Sequence, residues 1–199
     1  MNYTVFQWIN NFAGSSKLLD TLMIAITNSA AYVAILFMLI LWFNNGKKEN
    51  AIKKQYTVLY TTLSVSIALL VNVLIHSVYY HPRPFITHHV NQLVPHAADS
   101  SFVSDHSVLV FSIAFVFILR GEKLKYIALI WAILVGVSRM YVGVHYPLDI
   151  LGAAFLTFIT SGLVIQSTRI LEPLASLIFK MYALVAKRVP FLAKYNHIA

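Results

Sequence analysis

The stretch SRMYVGVHYPLD, residues 138–149, sets Arg139, His145 and Asp149 at the spacing Arg-x5-His-x3-Asp between two apolar segments. An arginine clamps a phosphate through its planar fork of donors. A histidine can attack phosphorus when its other ring nitrogen is held by a carboxylate. Asp149 follows His145 by four residues, about one helical turn, close enough to hold that imidazole in one tautomer. Pro147 suits the first turn of a new helix, where the helix dipole also favours a carboxylate. The stretch therefore predicts a helix end, a polar turn and a helix start, with phosphate-transfer chemistry at the turn. Taken alone, His145 and Asp149 also fit a structural hydrogen bond at an interface.

The segments on either side decide the fold class. The 199 residues are 59% hydrophobic and 11% charged, against about 25% charged in soluble domains. The apolar residues come in long blocks, the pattern of a polytopic membrane protein. The expected fold is all-α, one membrane helix bundle over residues 1–199. Five transmembrane helices are predicted at 20–43, 56–80, 104–119, 126–139 and 147–167. Residues 171–186 predict an amphipathic interfacial helix, with a sixth span as the alternative that Glu172 and Lys180 disfavour. In 1–19, Phe6, Trp8, Ile9 and Phe12 recur at near-helical spacing and predict a short interfacial helix. Residues 44–55 read as a polar connection and 81–103 as a long polar loop; such loops are usually functional or disordered. The first apolar block, about 36 Å as a helix, suits a span and not the short h-region of a cleavable signal peptide. There are no cysteines, so disulfides and thiolate metal sites are excluded.

Charge bias orients the bundle. Lys and Arg total 15: four lie in 44–55, three in 120–125 and five beyond Ser167. With five spans those twelve share one side, which the positive-inside rule makes cytoplasmic. The other side holds only Lys17, Arg83 and Arg139. The 81–103 loop and the 140–146 turn therefore face outward, at the plasma membrane. The net charge of +8 is explained by this topology, and no basic stripe interleaved with aromatics points to nucleic acid.

Two further clusters fall on that outer face. In HPRPF, residues 81–85, Pro82 and Pro84 stiffen the backbone around Arg83; an ordinary snorkelling arginine would look the same. In SSFVSDHS, residues 100–107, Ser104 suits an N-cap, and a helix N-terminus with free N–H groups attracts anions. His106 follows in the first turn. A capping serine beside an incidental polar pair is the plain alternative. His76, His81, His88, His89 and His96 lie near the same face, but without the spacing of a zinc site or a clear carboxylate partner.

An RP, then Ser-x-His, then Ser-Arg-x5-His-x3-Asp, in this order and at these helix ends, resembles the type 2 phosphatidic acid phosphatase superfamily. The match covers residues 76–149. HPRPF followed by SSFVSDH is most similar to the bacitracin-resistance (BcrC-like) undecaprenyl-diphosphate phosphatases. The resemblance implies that His145 is the nucleophile, that Asp149 orients it, and that His106 is the acid and then the base. It implies Arg83, Ser104 and Arg139 as phosphate ligands, with neither metal nor cofactor. Two positions depart from the pattern. Where the superfamily has a lysine seven residues before the arginine, this chain has His76, a phosphate donor or a structural polar residue. Where it has glycine, this chain has Asp105, whose N–H can still face phosphate. The Asp105 carboxylate then turns away, or sits near His106.

The implied activity is hydrolysis of undecaprenyl diphosphate to the monophosphate and inorganic phosphate, through a phosphohistidine. The implied partners are a polyprenyl diphosphate lipid and the bilayer. A phosphatase of phosphatidylglycerol phosphate, phosphatidic acid or diacylglycerol diphosphate is the alternative within the enzyme class. A permease subunit for antibiotic export is the alternative outside it.

Overall fold

The computed structural model describes residues 1–43 and 47–196, and all regular structure among them is helical. The ten helices are α1 (Asn2–Asn10), α2 (Lys17–Asn28), α3 (Ala30–Trp42), α4 (Lys48–Val78), α5 (Pro84–Thr87), α6 (Asp105–Arg120), α7 (Lys125–Tyr141), α8 (Pro147–Gln166), α9 (Thr168–Ala186) and α10 (Pro190–Ala193).

Local signals set the helix ends that matter here. Ser104 caps α6 by accepting the Ser107 N–H, and Gly121 closes that helix in the left-handed region at φ 67°. Pro147 opens α8, and the Asp149 carboxylate reaches back to the Tyr146 N–H at 2.7 Å. That bond satisfies one donor left over at the start of the helix.

The central helix is α6, packed on α4, α7 and α8, with α3 against α4 and α6. Its core joins Phe37 of α3, Phe111, Ala114 and Phe117 of α6, Ala132 and Val135 of α7, and Ile150 of α8. Phe6 of α1 is fully buried in the same cluster. Serines tie helices together inside the bundle, as between Ser64 of α4 and Ser161 of α8, with Oγ atoms 2.8 Å apart. The outer faces stay apolar. Leu70, Val73 and Leu74 of α4, Ile127, Ile130 and Ile133 of α7, and Leu151, Phe155 and Phe158 of α8 are all exposed. Water does not favour such a belt, but a hydrocarbon layer does.

All five predicted apolar segments are helical, with altered boundaries. By length and composition α4 and α8 can each cross a membrane, and α2 with α3 makes a third candidate. At 16 and 17 residues, α6 and α7 fall short of the roughly 20 that span a full hydrocarbon core. The predicted first span is not one straight helix: α2 and α3 meet at 53°. At the break the Ser29 hydroxyl bonds the Ile26 carbonyl, competing with the helix ladder, while α2 packs on α7 and α3 on α4 and α6.

The expected polar connection 44–55 is largely helix, because α4 begins at Lys48; residues 44–46 lie outside the described residues. Its Lys, Glu, Ala and Gln residues favour helix, so the charges mark a surface and not a helix end. The N-terminal helix is shorter than 1–19. It stops at Asn10, and Gly14 at φ 84° turns the chain into α2. Residues 171–186 lie within α9, which starts at Thr168 and buries Ala175, Phe179 and Ala186.

Candidate active site

The three polar clusters converge where α4 and α7 end and α6 and α8 begin. His145, in the turn between α7 and α8, is buried, as are Arg83, Arg139 and Asp149. Arg83 Nη1 lies 2.9 Å from His145 Nε2 and 3.0 Å from the Val144 carbonyl. The remaining Arg83 donors are also engaged: Nε with Asp99 at 2.8 Å and Nη2 with the Ser100 carbonyl at 3.3 Å. On the other edge of the imidazole, Nδ1 is 3.3 Å from Ser101 Oγ and 3.4 Å from Asp149 Oδ2. Ser101 Oγ donates to Asp149 Oδ2. The second oxygen, Oδ1, has no hydrogen-bond partner and faces His81 Nδ1 at 3.8 Å.

Arg139 is the counterpart of Arg83 with spare capacity. Its Nη1 donates to Thr27 Oγ1 at 2.9 Å, which the bend between α2 and α3 brings into reach. Its Nε and Nη2 are buried without a partner. A buried guanidinium with unmet donors is costly unless an anion completes it. Ser104 is fully buried at the start of α6, and its N–H reaches the Asp149 carbonyl at 3.4 Å. His106 is partly buried in the first turn of that helix.

The two positions that depart from the family pattern are placed as follows. The Asp105 carboxylate accepts from Asn72 Nδ2 of α4 at 2.7 Å. Asn72 also pairs with both backbone groups of Val103, so the segment before α6 is pinned to α4. His76 stands in the last turn of α4 with Nε2 buried and without a partner, outside the hydrogen bonds described above.

Burial drives the His145 pKa well below the ordinary histidine range; the hydrogen bond to Asp149 opposes this, and the Arg139 and Arg83 charges add to it. The ring is therefore neutral at neutral pH. Burial also lowers the His96 pKa, with Arg83 adding to the effect. For Asp99, burial pushes the pKa up, but the hydrogen bond and charge of Arg83 outweigh it and hold the carboxyl below its usual value. Among the described residues, no three His, Asp or Glu side chains gather as a metal ion's ligand set would.

Sequence reasoning missed Ser101, Asp99, Thr27 and Asn72. Thr27 and Asn72 sit inside apolar helices, where nothing local distinguishes them from packing residues. Ser101 lies within the quoted stretch 100–107 and Asp99 just before it, and only the fold shows where they point.

An apolar-faced helix bundle defines a membrane protein, and the buried Arg83, Arg139 and His145 at its helix ends make a candidate anion site. The chain belongs to the PAP2 superfamily, whose family model matches residues 56–171. It is 34% identical over 190 residues to the undecaprenyl-diphosphatase BcrC of Bacillus subtilis (strain 168), covering 95% of each chain. It is 29% identical over 188 residues to a protein of Bacillus licheniformis named bacitracin transport permease protein BcrC, covering 94% of this chain and 88% of that one. Among solved structures it is similar to Aquifex aeolicus LpxE, with a TM-score of 0.70 and 28% identity, over 83% of this chain and 94% of that one.

Proposed function

We propose that the protein hydrolyses undecaprenyl diphosphate to undecaprenyl phosphate and inorganic phosphate at the extracytoplasmic face of the plasma membrane. The observation that carries the chemistry is His145, buried and neutral, with Nε2 beside Arg83, the Arg139 charge acting on the ring and Nδ1 held by Asp149. The 34% identical relative supports the lipid, and the distribution of Lys and Arg supports the outward face.

In the first step His145 Nε2 attacks the terminal phosphorus, and the bridging P–O bond breaks. His106 gives its proton to the departing oxygen of the lipid phosphate. Arg83 Nη1 turns from Nε2 to a phosphoryl oxygen, and the two free donors of Arg139 take others. The N–H groups at the start of α6, around Ser104 and Asp105, add positive potential for the charge on the transferring group. Asp149 stabilises the ring, which becomes cationic when Nε2 carries the phosphoryl group. In the second step water attacks that phosphorus, His106 takes the water's proton, the P–N bond breaks and phosphate leaves. His76 is one further donor within this reading.

The test is phosphate release by purified wild type and His145→Ala on undecaprenyl diphosphate and on phosphatidylglycerol phosphate, with and without chelator. The expected result is turnover by wild type that chelator leaves intact, and a loss of about a thousandfold or more in the variant. Faster turnover of the glycerolipid overturns the lipid assignment, and a fully active variant overturns the site. One relative carries a permease name, so bacitracin resistance of cells expressing His145→Ala is the companion measurement. Transport without hydrolysis predicts that resistance survives; the phosphatase reading predicts that it is lost.

A further inference from the structure

Ser101 belongs to none of the residues given a role above, yet it is fully buried between His145 and Asp149. The direction of each hydrogen bond around it follows from what the groups can donate. Arg83 only donates, so the His145 Nε2 that faces its Nη1 at 2.9 Å presents a lone pair. A neutral ring with a bare Nε2 carries its proton on Nδ1. The Asp149 carboxylate only accepts, so the Ser101 hydroxyl proton goes to Oδ2. The lone pairs of Ser101 Oγ then face the Nδ1–H, 3.3 Å away.

The direct Nδ1 to Oδ2 distance is 3.4 Å, longer than the roughly 2.7–3.2 Å of a good N–H···O bond. The hold of Asp149 on the imidazole therefore runs through Ser101 as well as directly. Ser101 is itself fixed, because its N–H donates to the His81 carbonyl at 2.7 Å. The segment that carries Arg83 thus also sets the hydroxyl that faces His145.

We propose that Ser101 is a positioning residue for the phosphoryl transfer proposed above: its hydroxyl bridges His145 Nδ1 and Asp149 Oδ2, fixing the tautomer that leaves Nε2 free to attack. The proposal rests on the phosphatase reading for its kinetic consequence, but not for the tautomer.

Two measurements test it. The first is a double-mutant cycle of Ser101→Ala and Asp149→Asn on undecaprenyl diphosphate, with Ser101→Thr as the hydroxyl-retaining variant. Ser101→Ala is expected to lower kcat on the order of tenfold, the effect common for partners that orient an active histidine, with KM unchanged. In the Asp149→Asn background the same change is expected to cost nothing further, because both act through one network. Ser101→Thr is expected to recover activity. A kcat within about twofold of wild type for Ser101→Ala, or a full additive loss in the double variant, overturns the proposal.

The second measurement is nitrogen-15 NMR of labelled histidine, with His145→Ala used to assign the signal. The expected result is one Nδ1–H tautomer in wild type and a mixture in Ser101→Ala. An unchanged tautomer in Ser101→Ala overturns the proposal. This readout needs no turnover, so it decides the role of Ser101 even if wild type releases no phosphate, an outcome that would sink the functional reading alone.

Discussion

At His145 the chemistry and the stability of the protein are set by the same burial. The ring sits 3% exposed beside two guanidinium groups, and protonating it there is unfavourable. Its folded pKa lies below the unfolded value of about 6.5. The unfolded chain therefore takes up this proton first as pH falls. The stability that His145 contributes is intact above about pH 6.5 and declines below it, by up to about 1.4 kcal/mol per pH unit. Thermal unfolding of wild type should fall more steeply between neutral and mildly acid pH than that of His145→Gln. Parallel curves would show that the ring is not the buried neutral base described here. In the proposed mechanism the same neutrality should keep the acid limb of kcat/KM below the ordinary histidine range, since Nε2 needs its lone pair to attack.

At the scale of elements, the short helix α1 does more than lie at an interface. Asn10, buried at its C-terminal end, donates to the carbonyls of Asn91 and Tyr141 at 2.9 and 2.8 Å and accepts the Asn91 N–H at 2.9 Å. One side chain thus clasps α1, the polar loop and the end of α7 that carries Arg139. The neighbouring turn has no slack. Gly143 adopts φ 86°, and a Cβ there would meet the Asn91 carbonyl oxygen at 2.8 Å. Asn10→Ala leaves the buried Tyr141 carbonyl without this partner and should destabilise the protein by about 1–3 kcal/mol, read from thermal unfolding. It should also lower kcat/KM, because the clasp sets where Arg139 stands. A variant as stable as wild type would show that the loop is held by other contacts.

At the scale of the whole molecule, the site exists because α4, α6, α7 and α8 meet closely at one end. Gly152 in α8 marks that closeness: a Cβ there would fall 2.6 Å from Phe102 Cε2 and 2.8 Å from Val103 Cγ1. Gly152→Ala should push the 101–104 segment off α8 and lower activity at least tenfold by order of magnitude, as displaced catalytic groups do. Gly162, on the same helix with nothing within 4 Å of its would-be Cβ, supplies the control. Gly162→Ala should leave activity unchanged and slightly favour the helix. Equal effects at both positions would mean that helix propensity, not packing, is responsible.

The sequence by itself determined the helical membrane class, the apolar segments and the candidate residues for the proposed phosphate chemistry. These are local signals: long apolar runs, a proline at a helix start, a capping serine, and fixed spacings such as that of Arg139, His145 and Asp149. Only the tertiary structure decided what those residues touch. Arg83 meets His145 across 62 positions, Thr27 meets Arg139 across 112, and Asn72 takes the Asp105 carboxylate across 33. No periodicity encodes such pairings, because they depend on the angle at which helices cross and on the bend at Ser29. Whether a buried polar side chain is a strut or a partner of the site is likewise fixed by its neighbours in space, as the place of Ser101 between His145 and Asp149 illustrates.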